Sequence, residues 1–288
     1  MENGYVLISG ASSGIGWATA LHLDALGYRV LAGVRKAEDG SRLRHASQDR
    51  VLPLILDVTD AHQIDEAHSF VMERCGHSGL TALVNNAGHN YNSAFEYSDE
   101  QLAREMMEVN FFGVVSMSRK FIPLLRLHAQ ASRRTAKLIN VGSIGSLLGL
   151  PWEAFYHASK FAVLGLTESL RHELHAQDIR ASAVLPGGIK TEFARKTRQG
   201  VEVAIASMDD SGRSLYGQGL QKIGEMVSMV DRWGSSPELV ARRIGSIVRA
   251  DNPDWRYLVG IDARLLHAMS SVLPSRVMHA MLRSTLGA

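Results

Sequence analysis

Apolar residues recur along the chain in two alternating rhythms. Short continuous runs, YVLIS (5–9), RVLAG (29–33), VLPLILD (51–57), ALVN (82–85), KLINV (137–141), RASAVL (180–185) and RYLVG (256–260), predict strands buried on both faces. Between them lie longer stretches such as IGWATALHLDALG, with apolar residues at helical spacing and Gly27 as the C-terminal stop. SSPELVARRIGSIVRA predicts another helix, with Ser236 at the N-cap and Pro237 at the first helical position. Strands alternating with helices imply an α/β fold, a doubly wound parallel sheet of about seven strands with helices on both faces.

The rhythm fails after Thr191. From Phe193 to Trp233 the chain is rich in Gly, Ser, Gln and Met, with a weakly apolar helical patch from Leu220 to Val230. This predicts a largely irregular, mobile insert, 193–235, acting as a substrate lid within one domain spanning 1–288. The tail, 262–288, alternates Leu, Met and Val with Arg and His in short helical patterns broken at Pro274. Packing over a site mouth or a neighbouring subunit is the favoured reading; peripheral contact with a membrane surface is the alternative.

Composition narrows the class. The chain has 288 residues, 45% hydrophobic and 21% charged, the profile of a soluble globular enzyme. A formal charge of +2 is too small an excess to suggest a nucleic-acid partner. The single cysteine, Cys75, excludes an internal disulfide and is read as structural. The N-terminus enters an apolar strand almost at once, so no secretory leader is expected. No apolar run reaches the ~18 residues of a membrane span, and the protein is expected to be cytoplasmic. His172 and His175 in RHELH stand three apart rather than the four a zinc-protease helix needs, so no metal site is expected.

The first strand runs into Gly10-Ala-Ser12-Ser13-Gly14-Ile15-Gly16 and then directly into a helix. An ordinary tight turn would use such glycines too. At the first strand-to-helix turn of an alternating chain, however, they let backbone approach a pyrophosphate, which the unpaired N–H groups of the helix start can bind. An NAD site usually carries an acid at the end of the second strand. Here that strand ends Gly33-Val34-Arg35-Lys36, and Arg35 suits a 2′-phosphate, so NADP (NADPH) is favoured over NAD. Further on, FYHASKF sets Tyr156 and Lys160 one helical turn apart. A free phenol ionises near pH ~10, and a cation at short range lowers that value; a surface tyrosine packed over a lysine stem is the plainer alternative.

With GASSGIG, the NNAG of Asn85 to Gly88 and the YxxxK pair, the chain resembles the short-chain dehydrogenase/reductase family in its single-domain, Rossmann-type branch. LDVTD, GLTALVNNAG, LRHEL and PGGIKTEF resemble the retinol and hydroxysteroid dehydrogenase-like group in particular. The likeness implies that Asp57 and Val58 contact the adenine and that Asn86, Ala87 and Gly88 flank the cofactor. It also implies that Pro186, Gly187, Ile189 and Thr191 curl around the nicotinamide carboxamide. Tyr156 is then the acid/base, Lys160 lowers its pKa and reaches the nicotinamide ribose, and Ser143 holds the substrate oxygen. Asn110, expected in the long helix after NNAG, binds a water linking Lys160 to solvent. Relatives are commonly dimers or tetramers, built on the helix around Asn110 and the helix carrying Lys160.

Leu148, Trp152, Phe155 and Phe193, with the Met-rich stretch 224–230, are candidates for an apolar wall around a steroid-, retinoid- or lipid-like substrate. Two alternatives stay open. A 3-oxoacyl-thioester reductase would want a basic docking patch, for which Arg195, Lys196 and Arg198 are candidates, and a catalytically silent nucleotide-binding regulator would not need the intact Ser143, Tyr156, Lys160 and Asn110.

Overall fold

A computed structural model describes residues 3–286. Seven strands, β1 (Asn3–Ile8), β2 (Tyr28–Val34), β3 (Val51–Ile55), β4 (Ala82–Asn85), β5 (Ala136–Val141), β6 (Ile179–Pro186) and β7 (Arg256–Val259), form one sheet in the order β3-β2-β1-β4-β5-β6-β7. Every pairing is parallel. The strand order reverses between β1 and β4, which opens a crevice at their carboxyl ends.

Alternate residues of each strand feed different layers. Val6 and Ile8 of β1, and Val30 and Ala32 of β2, pack on one face with Leu23, Val240 and Ile244; Leu7, Leu31 and Leu83 pack on the other with Val71, Met117 and Phe121. The first layer is closed by α1 (Gly14–Ala25), α2 (Ala37–His45) and, from late in the chain, Pro237–Arg249. The second is closed by α3 (Ala61–Cys75), α5 (Gly113–Ser132) and α6 (Ala154–Glu173), with α4 (Glu100–Met107) preceding α5 in the chain. The apolar runs read as strands are therefore covered on both sides. Cys75 ends α3 buried in the second layer.

The irregular insert is a misreading of helical sequence. The segment forms α7 (Glu192–Ser207) and α8 (Asp210–Trp233), which pack on each other through Val201, Leu220, Ile223 and Val227. Glycines lower helix propensity and hid the pattern. Tertiary packing overrides them: Gly212, Gly217 and Gly219 are buried, and a Cβ at Gly212 would stand 2.5 Å from the Tyr97 ring.

Helix α9 (Pro237–Arg249) starts where expected, with Pro237 at its first position. Ser236 occupies the N-cap, but its side chain bonds Glu238 rather than a backbone N–H. The tail forms α10 (Ile261–Val272) and α11 (Ser275–Leu286), broken at Pro274. Among the described residues no helix is long and apolar enough to cross a membrane.

Candidate active site

The crevice between β1 and β4 begins at the glycine turn. Gly10 and Gly14 take φ of +68° and +57°, where a side chain would be strained. A Cβ at Gly10 would meet Ala87 Cα at 2.8 Å, and one at Gly16 would overlap the Gly10 carbonyl and meet Asn86 Nδ2 at 2.6 Å. The turn is pinned by the strand beside it: Asn86 Nδ2 donates to the carbonyls of Ser9 (3.1 Å) and Gly10 (2.9 Å), while Ser9 Oγ accepts from the N–H groups of Asn86 and Ala87, both at 3.1 Å. Ser9 was not read as a site residue, because a serine inside a strand carries no signal of its own. Asn86 thus works on the turn itself.

Helix α1 starts with no side-chain cap, since extended Ser13 makes no capping bond. Its first N–H groups are open toward the turn, with Ser12 half-buried and Ile15 packed on the core behind it. Closed to side chains and rich in backbone donors, this cradle fits a dinucleotide pyrophosphate. Arg35 follows β2 directly and is exposed. Asp57 is half-buried and orients its own loop, its Oδ1 accepting from Thr59 N (3.0 Å) and Thr59 Oγ1 (2.7 Å). Val58 is buried against Gly113, where a Cβ would lie 2.6 Å from Val58 Cγ2.

Four residues expected to do chemistry gather across the sheet's carboxyl edge. Ser143, just beyond β5, caps a single turn, its Oγ accepting from Gly145 N at 3.0 Å, and also hydrogen-bonds Tyr156. Tyr156 and Lys160 share one face of α6, with Lys160 Nζ 5.8 Å from the Tyr156 ring centroid. Lys160 is 6% exposed and donates to the Val141 carbonyl at 3.2 Å. Burial brings its ammonium down to about 8. The Tyr156 phenol is pushed well up by burial, which the Ser143 hydrogen bond opposes and the nearby Glu153 carboxylate reinforces.

Asn110 lies in a π-helical turn, Glu108–Phe112, between α4 and α5. The extra residue per turn rotates the buried amide inward. There Asn110 Oδ1 accepts from His89 N at 2.9 Å, and Nδ2 donates to His89 O (2.9 Å) and Ser159 Oγ (3.1 Å). Gly88 separates it from the lysine: a Cβ there would sit 3.1 Å from Asn110 Oδ1 and 3.5 Å from Lys160 Nζ.

The loop after β6 is strapped on both sides. Gly187 N bonds Val259 O at 2.9 Å, Gly188 N bonds Asp262 Oδ2 at 2.6 Å, and Ile189 bridges Ser235. Thr191 stands at the N-cap of α7, its Oγ1 donating to Ile189 O at 3.3 Å. Asp262 escaped the sequence reading because only the fold brings the start of α10 to this loop.

A cavity of about 160 Å³ opens beside Tyr156 and Ser143. Leu148, Leu150, Ile189, Ala194, Val227 and Val230 give it a mainly apolar lining, and Leu266 closes it from the tail. Trp152 is not part of that lining; it packs behind it, edge-on to Tyr216 at 5.6 Å. Phe155 stacks on Phe95 at 5.5 Å. The side chain of Phe193 lies outside the described residues. Glu153 and His157, which the sequence reading passed over, also line the cavity; their signal was position, three before and one after Tyr156. Among the described residues no group of three or more His, Cys, Asp or Glu is placed to hold a metal.

A doubly wound sheet with this glycine turn, and with Ser, Tyr and Lys at its carboxyl edge, defines a dinucleotide-dependent oxidoreductase. The comparisons place it more closely: a profile described as short chain dehydrogenase matches residues 4–202, and the chain belongs to that family. It is 32% identical to a 3-ketodihydrosphingosine reductase of Bacteroides thetaiotaomicron, covering 98% of both chains. To the estradiol 17-beta-dehydrogenase 2 of Mus musculus it is 31% identical, over 96% of this chain and 74% of that one. A solved short chain dehydrogenase from Burkholderia cenocepacia, in complex with NADP, superposes with a TM-score of 0.72 at 27% identity, covering 98% of both chains.

Proposed function

We propose that the protein is an NADPH-dependent oxidoreductase that interconverts a carbonyl and an alcohol on a hydrophobic, lipid-like substrate. The observation that carries this reading is the meeting of Ser143, Tyr156 and Lys160 at one end of a mainly apolar cavity. Nicotinamide cofactors supply or accept the hydride in such chemistry. The glycine turn and the start of α1 hold the pyrophosphate, Arg35 meets the 2′-phosphate, and Asp57 and Val58 border the adenine. Ala87 and Gly88 flank the cofactor, and the 186–191 loop seats the carboxamide. A relative bound to NADP supports that choice.

The chain's own residues handle the proton. Ser143 fixes the substrate oxygen against the Tyr156 hydroxyl, which protonates it during reduction. Lys160, held by the Val141 carbonyl, keeps positive charge beside the phenol and favours its ionised form. Asn110 braces the His89 backbone and, with Gly88, leaves a path by which water reaches Lys160. Helices α7 and α8 contribute Ala194, Thr197, Val227 and Val230 to the cavity wall and act as its lid.

Phe112 and Phe161 are exposed on the α4–α5 segment and on α6, which supports a homo-oligomer built on those helices. Arg195 is exposed and ion-paired with Glu192, and Lys196 and Arg198 are exposed as well, so a carrier-bound thioester stays as the second reading. The reading is tested by following NADPH oxidation with ketosteroids, retinal, long-chain aldehydes and acetoacetyl thioesters. Turnover of the hydrophobic ketones or aldehydes is expected; oxidation with the thioester alone would replace this reading.

A further inference from the structure

Two ionisable side chains of the cavity wall, Glu153 and His157, have no part in the proton chemistry. Glu153, the residue before α6, has a side chain 12% exposed, and His157, one residue past Tyr156, is 5% exposed. They are each other's partners, an ion pair with Glu153 Oε2 3.5 Å from His157 Nε2. The other carboxylate oxygen, Oε1, accepts from Asn90 Nδ2 (2.5 Å) and Asn92 Nδ2 (2.9 Å). Burial alone would raise this carboxyl, but His157 and the two amides hold it below the ordinary carboxylate range. Its charge does not serve the phenol: burial, and after it the Glu153 carboxylate, disfavour ionisation of Tyr156. The use of a charge kept there at that disadvantage lies in what the pair holds.

The pair holds one glycine. His157 Nδ1 donates to the Gly145 carbonyl at 3.0 Å, because a carbonyl can only accept. The N–H of the same Gly145 donates to Ser143 Oγ, also at 3.0 Å. Gly145 is thus gripped through both of its backbone polar groups. Only glycine permits this, since a Cβ would lie 2.6 Å from His157 Nδ1. The bond from Gly145 N takes an acceptor position of Ser143 Oγ and leaves the hydroxyl hydrogen to point at Tyr156, in the hydrogen bond that eases ionisation of the phenol. If Gly145 shifts, the Ser143 hydroxyl turns with it.

We infer that Glu153 and His157 are positioning residues, which through Gly145 aim the Ser143 hydroxyl at the Tyr156 oxygen and the substrate carbonyl. This deepens the carbonyl-reductase reading and rests on it. The two act through Gly145 and Ser143 rather than on the reacting atoms. Glu153 fixes the imidazole by its far nitrogen, so that the near one stays on Gly145, and the Asn90 and Asn92 amides fix Glu153 in turn. An error of about 1 Å in such an alignment costs on the order of a hundredfold in rate.

The test is a double-mutant cycle in the full-length protein, with NADPH and the carbonyl compound turned over fastest in the screen above. His157→Leu removes both bonds of the ring; kcat should fall about ten- to hundredfold while NADPH affinity, by fluorescence titration, stays within about threefold. Ser143→Ala removes the group being aimed. In that background His157→Leu should lower kcat by less than about a further twofold, and Glu153→Ala should behave likewise. His157→Asn, whose amide can still meet the Gly145 carbonyl, should recover kcat to within about fivefold of wild type. His157→Gln, whose amide reaches toward Glu153 but not Gly145, replaces the leucine variant in the cycle if circular dichroism shows that protein unfolded. Losses that add in the double variant overturn the inference and assign the pair to holding the wall and the 90–92 loop alone. An unchanged kcat in His157→Leu, or no recovery in His157→Asn, also overturns it. If wild-type protein oxidises NADPH with no compound of the screen, the carbonyl reading itself fails and the positioning role falls with it.

Discussion

Lys160 Nζ lies 5.8 Å from the centroid of the Tyr156 ring, one helical turn along α6, and is fixed there by the Val141 carbonyl rather than by any acidic side chain. Its charge is therefore not cancelled locally and remains available to the phenol. Replacing Tyr156 by Phe removes the proton and keeps the ring. We expect turnover to fall about a hundred- to ten-thousandfold, with NADPH affinity within about threefold of wild type by fluorescence titration. Undiminished turnover would remove Tyr156 from its role.

The lowered Lys160 value gives a pH prediction. The ammonium is lost as pH rises through about 8, whereas Tyr156 is displaced upward and keeps its proton there. Reduction measured as kcat against pH should decline above about 8. Lys160→Arg, which stays charged, should move that decline to higher pH. Stability runs the opposite way. Between about 8 and the unfolded value of 10.5 the unfolded chain binds more protons, so folding stability from this group rises with pH, and denaturant titrations of Lys160→Met should lack that rise.

Arg35, with Lys36 beside it, follows the end of β2 as the residue suited to a 2′-phosphate. Arg35→Asp should weaken NADPH binding by roughly ten- to hundredfold and leave NADH within about threefold, read by isothermal titration calorimetry. Equal loss for both coenzymes would show a general effect on the crevice instead.

Gly16 admits no side chain, because a Cβ overlaps the Gly10 carbonyl and crowds Asn86. Gly16→Ala should cost about 1 to 3 kcal/mol of stability and abolish saturable coenzyme binding, since the glycine turn must move to make room. A thermal melt checks the first effect and a binding titration the second.

Phe161 faces solvent on α6 at 46% exposure, and Phe112 does so at 48%. If these faces meet in a homo-oligomer, Phe161→Glu should lower the molar mass measured by light scattering by at least about half while retaining the folded circular dichroism spectrum. An unchanged mass would move the interface elsewhere.

The parts legible in the sequence were those encoded locally. Strands buried on both sides leave continuous apolar runs, and the glycine turn is written in residues whose neighbours exclude side chains. The Tyr156–Lys160 pairing follows from helical spacing alone. Helices α7 and α8 were hidden because their glycines answer to tertiary contacts such as Tyr97 against Gly212, which no local propensity records. Trp152 looked like a wall residue, yet the backbone there takes φ +70° and the indole packs behind the cavity against Tyr216. Glu153, His157 and Asp262 gained meaning only when folding set them beside Tyr156 or the 186–191 loop.

Asp262 and Leu266 belong to the same helix, α10: the first grips the Gly188 N–H, the second closes the cavity. A rigid rod cannot swing its far turn outward and leave its near turn at rest. Any displacement of the tail would therefore pull on the 186–191 backbone as well, so the proposed seat of the nicotinamide end and the cavity mouth would be mechanically coupled.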